Sequence, residues 1–132
     1  MTLEDLYENF SFLDGWEEKY QYVIDLARRL EPFPDEYKTD TWKVQGCQSQ
    51  VWLVPSYTNG TFRFQGDSDA ILVKGIIAIV LIIFNDKTAD EIKNIDVTKI
   101  FAKLGLEENL TPSRRNGMLS MVAKIKEYAS NI

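Results

Sequence analysis

The residue best suited to chemistry in this chain is Cys47, its single cysteine. It follows Gly46 and lies between two segments with the residue types of strands, so we expect it at a turn or loop tip, where it can meet another protein. Its neighbours Gln45, Gln48 and Ser49 are polar, whereas apolar flanks are expected where a cysteine serves packing alone. The alternative, a small buried residue without reactivity, is the usual state of a free cysteine and stays open on these residues alone.

The electrostatic setting of this thiol is mild. Lys43 is the only nearby cation in the sequence, so nothing indicates that the thiolate form is strongly favoured. We expect Val44, Val51 and Trp52 to form an apolar hollow that shields the Cys47 thiol in the free protein and limits its oxidation.

Several kinds of chemistry are excluded by composition. The chain contains no histidine, which excludes Ser-His-Asp and Cys-His catalysis. One cysteine without histidine cannot supply the ligands of a structural zinc site. A single cysteine also forms no internal disulfide, which fits a reducing compartment.

A second polar stretch runs from Gly66 to Asp69. Asp67 and Ser68 are predicted to cap the helix that follows, since their side chains can accept hydrogen bonds from its free N–H groups. Asp69 exceeds what one cap requires, so we expect it to contact a partner or a loop.

A third stretch runs from Leu110 to Gly117 and holds two arginines at the start of a helix. Arg114 and Arg115 oppose the helix dipole there, at a cost of about a few tenths of a kcal/mol each. Either the two side chains form a solvated face, or an arginine is presented to an acidic group on a partner or to the Cys47 loop.

These candidates must be positioned by a framework of helices. Apolar spacing predicts a helix over Trp16–Leu30 and a shorter one before it. Within the apolar run Ala70–Phe84, the β-branched stretch Ile76–Val80 could form a buried strand, but the length of the run and the cap at Asp67-Ser68 favour a buried central helix. Four further signals mark helix ends: a capping box at Thr88, a cap at Asp96, a C-terminal glycine at Gly105, and Thr111 followed by Pro112 at the start of the last helix.

Three short segments between the helices have the pattern of strands. They are Lys43–Gln45, Gln50–Val54 and Thr61–Phe64, with Asn59-Gly60 as a hairpin turn. The expected fold class is therefore α+β, a small antiparallel sheet packed by helices. With no repeat or linker, residues 1–132 are expected to form a single domain.

Charge and hydropathy limit the partners. The formal net charge is -5, and the 15 basic residues are scattered among 20 acidic ones, so nucleic acid is not an expected partner. The 15-residue apolar run is shorter than the roughly 20 residues of a membrane span. The acidic start of the chain does not have the form of a signal peptide, and we therefore expect a cytoplasmic protein without a membrane partner.

The three stretches, taken together and in order, resemble the SufE family, including its CsdE branch. The resemblance runs from about Leu6 to Lys126. The matching segments are Trp16–Tyr20, Val44–Trp52, Gln65–Ala70, Val73–Ala78 and Leu110–Arg114. Each segment alone is weak, whereas ordered blocks at compatible spacing are specific.

The resemblance implies a function. Members of this family bind a pyridoxal-phosphate cysteine desulfurase of the SufS or CsdA type, stimulate it, and pass its sulfane sulfur to an iron–sulfur scaffold. Cys47 matches the acceptor position, and the fold implied is similar to that of IscU-type scaffolds. The chain would then be a persulfide carrier rather than a stand-alone enzyme, with no cofactor of its own. We assign partner contacts to residues around the thiol and in the other two stretches: Gln45, Gly46, Gln48, Ser49, Asp69 and Arg114.

One departure and two rival functions accompany this hypothesis. Family members commonly have histidine before Leu-Thr-Pro-Ser-Arg, and this chain has Asn109, which puts in doubt any proton transfer assigned to that position. The rivals are a scaffold or metal-binding module, disfavoured by the lack of ligands, and an interaction domain with a silent cysteine.

Overall fold

The computed structural model describes residues 1–131. Within these residues, six α-helices and one two-stranded antiparallel sheet follow in the order α1 (Leu3–Ser11), α2 (Gly15–Ala27), β1 (Val51–Thr58), β2 (Thr61–Ser68), α3 (Ile71–Phe84), α4 (Ala89–Asn94), α5 (Val97–Leu104) and α6 (Pro112–Ser130). Short 3-10 turns lie at Asp35–Tyr37 and Glu107–Asn109. The α+β class predicted from the sequence is confirmed.

The two strands form a hairpin around the predicted turn. Their register runs from Val51 opposite Ser68 to Thr58 opposite Thr61. Asn59 and Gly60 both adopt positive φ, 54° and 84°, as a two-residue hairpin turn of this twist requires.

The predicted third strand over Lys43–Gln45 is wrong. Lys43 forms only an isolated bridge with Trp52. The Val44 N–H donates to the Val51 carbonyl at 2.8 Å, but the chain turns at Gln45, so pairing cannot continue.

The apolar run forms the central helix, as predicted, although it begins at Ile71. α3 packs against α2 on one side and β2 on another. Two glycines permit this close approach. A β-carbon at Gly75 would overlap the Val23 carbonyl oxygen, and one at Gly66 would lie 2.9 Å from Ile77 Cγ2.

The cap predicted at Asp67 and Ser68 is wrong. Both residues belong to β2, whose pairing with β1 continues through Ser68, and the helix begins at Ile71 without a side-chain cap. Asp67 is buried, and its carboxylate lies 3.4 Å from the amino groups of Lys38 and of Lys74. Asp67 therefore forms ion pairs with two lysines rather than capping the helix.

The remaining helix signals are confirmed. Thr88 forms the capping box of α4, and the Asp96 side chain accepts from the Lys99 N–H at the start of α5. Gly105 ends α5 with φ 76°, and Thr111 caps α6. α2 ends at Ala27, three residues before the predicted end at Leu30. Within residues 1–131, none of the helices combines the length and hydropathy that a bilayer crossing requires.

Candidate functional site

Cys47 lies in an irregular loop between the turn at Gln45-Gly46 and β1. This confirms the loop position expected from the sequence. Its thiol is half-buried, and Sγ donates a weak hydrogen bond to the Gly117 carbonyl oxygen at 3.7 Å. The loop therefore folds the thiol inward onto α6 rather than holding it at an exposed tip.

Two small residues on α6 form the seat of this loop. Gly46 has φ 87°, and a β-carbon there would lie 2.8 Å from Ser120 Oγ. A β-carbon at Gly117 would lie 3.5 Å from Cys47 Sγ. Sequence reasoning assigned no role to Gly117 or Ser120; the available signal was a glycine inside a predicted helix, where glycine lowers stability.

Next to the thiol is a cavity of about 220 Å³. Its apolar wall comes from β1, α3 and α6, and the principal side chains are Val51, Leu72, Ile76, Ile77, Met118 and Met121. Of the three residues expected to form the hollow, only Val51 lines it. Val44 and Trp52 are buried elsewhere, because the loop turns the thiol toward the helices.

The cavity also has polar groups on its lining, and they include three predicted site residues. Gln48, Ser49 and Arg114 line it together with Cys47. Arg114 is the only charged residue of the lining, and within residues 1–131 its guanidinium makes no salt bridge. Arg115 instead donates to the Glu107 carbonyl oxygen at 2.6 Å, so the two arginines have different surroundings.

Asp69 holds the far end of the loop. Its Oδ1 accepts from the Gln50 N–H at 3.0 Å, and its own N–H donates to the Gln50 carbonyl oxygen at 3.3 Å. Of the two contacts expected for Asp69, the loop contact is therefore present. Gln45 is exposed and lies outside the cavity lining, as does Asn109, whose Nδ2 donates to the Gly105 carbonyl oxygen at 3.5 Å.

The surroundings of the thiol favour its protonated form. Burial raises the pKa of Cys47 above its usual value because the thiolate would lose solvation. In this position a smaller share of the thiol is ionised than in an exposed cysteine at the same pH. As for metals, no group of three carboxylate or thiol side chains within residues 1–131 is placed to hold one.

Comparisons with known proteins agree with this architecture. A family model described as "SufE: Fe-S metabolism associated domain" matches residues 4–129. An uncharacterized SufE-like protein of Rhizobium meliloti is 46% identical, over 97% of this chain and 94% of that protein. A second SufE-like protein, from Rhizobium etli, is also 46% identical, over 97% of this chain and 89% of its own length.

The fold also matches a solved structure. The solution structure of a hypothetical protein from Thermus thermophilus superposes with a TM-score of 0.79, over 99% of this chain and 97% of that one. At 19% sequence identity, this match shows a shared fold and nothing about function. The family match over nearly the whole chain, with the Cys47 loop, the Asp69 stretch and the start of α6 all included, makes this protein a member of the SufE family, a domain associated with Fe-S metabolism.

Proposed function

We propose that this protein is a sulfur carrier whose Cys47 accepts persulfide sulfur from a cysteine desulfurase and passes it on for iron–sulfur cluster assembly. The observation that carries the proposal is the one thiol of the chain, seated in an apolar cavity beside a single guanidinium, in a member of the SufE family. Neither histidine nor a second cysteine is available to complete another kind of thiol chemistry.

The reaction is thiol–persulfide exchange. The Cys47 thiolate attacks the outer sulfur of the donor's persulfide, a new S–S bond forms, and the donor's thiolate leaves. Since the chain has no second cysteine, it cannot resolve the product internally, and the sulfur can leave only to another molecule. Emptying the donor's cysteine allows its next turnover, and for this reason the carrier stimulates the desulfurase.

Exchange requires the thiol to leave its seat. Reacting atoms must approach to about 3–3.5 Å in line, and a half-buried sulfur hydrogen-bonded to the Gly117 carbonyl oxygen is not presented to a donor sulfur in that way. The loop around Cys47 therefore moves outward in the complex and returns with its cargo. The apolar cavity then shelters the persulfide from water and oxidants.

Partner recognition is assigned to the surface around this loop. Gln45, Gly46, Gln48 and Ser49 accompany the thiol outward, and Arg114 offers an unneutralised cation to a carboxylate of the desulfurase. The recipient is an iron–sulfur scaffold, and the chemistry requires a compartment that keeps thiols reduced, which supports a cytoplasmic location.

The test is intact-mass spectrometry after incubation with a bacterial cysteine desulfurase and free cysteine. We expect the wild type to gain the mass of one sulfur atom and Cys47→Ser to gain none. Desulfurase turnover should rise with the wild type and not with the serine variant. A silent cysteine would gain no sulfur, and full stimulation by Cys47→Ser would refute the carrier mechanism.

A further inference from the structure

A glycine lies inside α6 at the point where the Cys47 thiol contacts the helix. Gly117 is the sixth residue of a 19-residue helix. Glycine in a helix interior is less stable than alanine, because it has more backbone freedom to lose on folding. It has ordinary helical φ, so no turn or cap explains it.

The bare thiol does not explain this glycine either. A β-carbon at position 117 would lie 3.5 Å from Cys47 Sγ and 3.9 Å from Cys47 Cβ, which are ordinary contact distances. Alanine would therefore fit beside the unloaded thiol, and it would strengthen the helix.

A persulfide changes the space requirement. Its outer sulfur lies about 2.05 Å from Sγ, so it must occupy a position next to the sulfur seat. The cavity has room for it: about 220 Å³ is available, against roughly 10–15 Å³ for one water on a comparable measure. Gly117 and Cys47 both line this cavity, so its open space borders both residues.

We propose that Gly117 is a positioning residue, whose missing side chain reserves the place on α6 that the outer sulfur of a Cys47 persulfide occupies in the sheltered state. The inference rests on the proposed carrier function. A methyl group at position 117 leaves the thiol where it is and displaces the outer sulfur toward the open side of the cavity. On that side the outer sulfur is more accessible to reductants in solution.

The experiment compares the wild type, Gly117→Ala and a matched control, Asn116→Ala, an exposed neighbour on the same helix. Cys47 is loaded with inorganic polysulfide, which needs no desulfurase, and excess reagent is removed. Loss of the added sulfur to dithiothreitol is then followed by intact mass. In parallel, alkylation of the unloaded proteins by iodoacetamide reports the position of the thiol.

We expect Gly117→Ala to lose its sulfur roughly three- to tenfold faster than the wild type, because the displaced outer sulfur is more accessible to dithiothreitol; this change corresponds to about 1 kcal/mol. Alkylation of its unloaded thiol should equal that of the wild type, and its melting temperature should be unchanged or higher. Asn116→Ala should match the wild type in both rates.

Three results would overturn the inference. One is equal sulfur lifetimes in Gly117→Ala and the wild type. Another is a parallel rise in alkylation, which would make Gly117 a determinant of loop position only. The third is a wild type that takes up no sulfur from polysulfide or holds it no longer than the same protein in urea. If Cys47 takes up sulfur from polysulfide but not from a desulfurase, the proposed carrier function is refuted. The comparison of sulfur lifetimes in Gly117→Ala and the wild type would still test the role of Gly117.

Discussion

The reactivity of Cys47 is set by its position rather than by an activating neighbour. Reactive thiols usually have a pKa lowered by a nearby cation or a helix N-terminus. Here burial dominates and raises the pKa of Cys47. Under the proposed carrier function, this arrangement would keep the thiol mostly protonated until the loop presents it to a partner.

This pKa shift predicts a specific pH profile for alkylation. Iodoacetamide reacts with the thiolate, so the rate rises as pH passes the pKa of Cys47. Because burial raises that pKa, we expect the midpoint of the free folded protein to lie above the ordinary cysteine value of about 8.5. The same measurement in urea, where burial is lost, should return the ordinary midpoint. A folded-state midpoint at or below the urea value would contradict a desolvated thiol.

Arg114 is predicted to act in binding rather than in folding. Its guanidinium makes no salt bridge within residues 1–131, so Arg114→Ala should change the melting temperature little. The Arg114→Ala variant should lose more than about 1 kcal/mol of binding free energy for the desulfurase, which raises Kd roughly fivefold or more. Calorimetric titration would measure this change.

The neighbouring arginine is the matched control. Arg115 donates to the Glu107 carbonyl oxygen, so Arg115→Ala should lower stability more than affinity. Unchanged affinity in Arg114→Ala would remove it from the interface, and a large drop in its melting temperature would make it a structural residue.

At the scale of elements, the Cys47 loop is fixed at both ends by backbone hydrogen bonds and held in the middle by its contacts with α6. Val44 is hydrogen-bonded to Val51 at one end, and Gln50 pairs with Asp69 at the other. Between these ends the loop meets α6 through the Gly46 and Cys47 seats described above. Movement of a few residues can therefore expose the thiol without disturbing the sheet.

The Asp69 contact is predicted to limit this movement. Asp69→Ala removes the side-chain acceptor of the Gln50 N–H, which fixes one end of the loop. We expect alkylation of Cys47 to become several-fold faster, on the scale of one lost hydrogen bond of about 1 kcal/mol.

An exposed aspartate on α4 provides the comparison. Asp90→Ala leaves the loop contacts intact and should leave alkylation at the wild-type rate. If Asp69→Ala alkylates no faster than Asp90→Ala, the loop is held by its α6 seat alone.

At the scale of the whole molecule, α3 organises the core. It is buried along most of its length and contacts α2, β2 and α6. The close crossing of α2 and α3 depends on Gly75, where a β-carbon would overlap the Val23 carbonyl oxygen. Two helix backbones cannot yield locally to such an overlap, so the whole core must adjust.

We therefore predict that Gly75→Ala destabilises the protein globally, by about 1–3 kcal/mol or more. Circular dichroism and tryptophan fluorescence should report the same lowered melting temperature, since one core unfolds as a unit. Gly117→Ala is the matched comparison, with the same substitution inside a helix but without a backbone overlap. A melting temperature of Gly75→Ala at or above that of Gly117→Ala would contradict the claim that the close crossing of α2 and α3 depends on Gly75.

The sequence by itself determined the features that depend on neighbours in the chain. Thr88, Asp96 and Gly105 act within a few residues of themselves, and their helix ends were predicted correctly. The Asn59-Gly60 turn is equally local, because positive φ at both positions selects the hairpin. The ordered blocks around Cys47, Asp69 and Arg114 also carried the family resemblance.

Only the tertiary structure decided which of these residues meet. The seat of Cys47 is Gly117, 70 positions away in sequence, and no local pattern encodes that contact. The cap expected at Asp67 and Ser68 is absent because the hairpin register extends β2 through Ser68. The expected apolar hollow is present, but it includes Val51 without Val44 or Trp52, because the loop turns the thiol toward α3 and α6. Local propensities bias each segment independently, whereas a site built from a loop, a strand and two helices exists only once the core has brought them together.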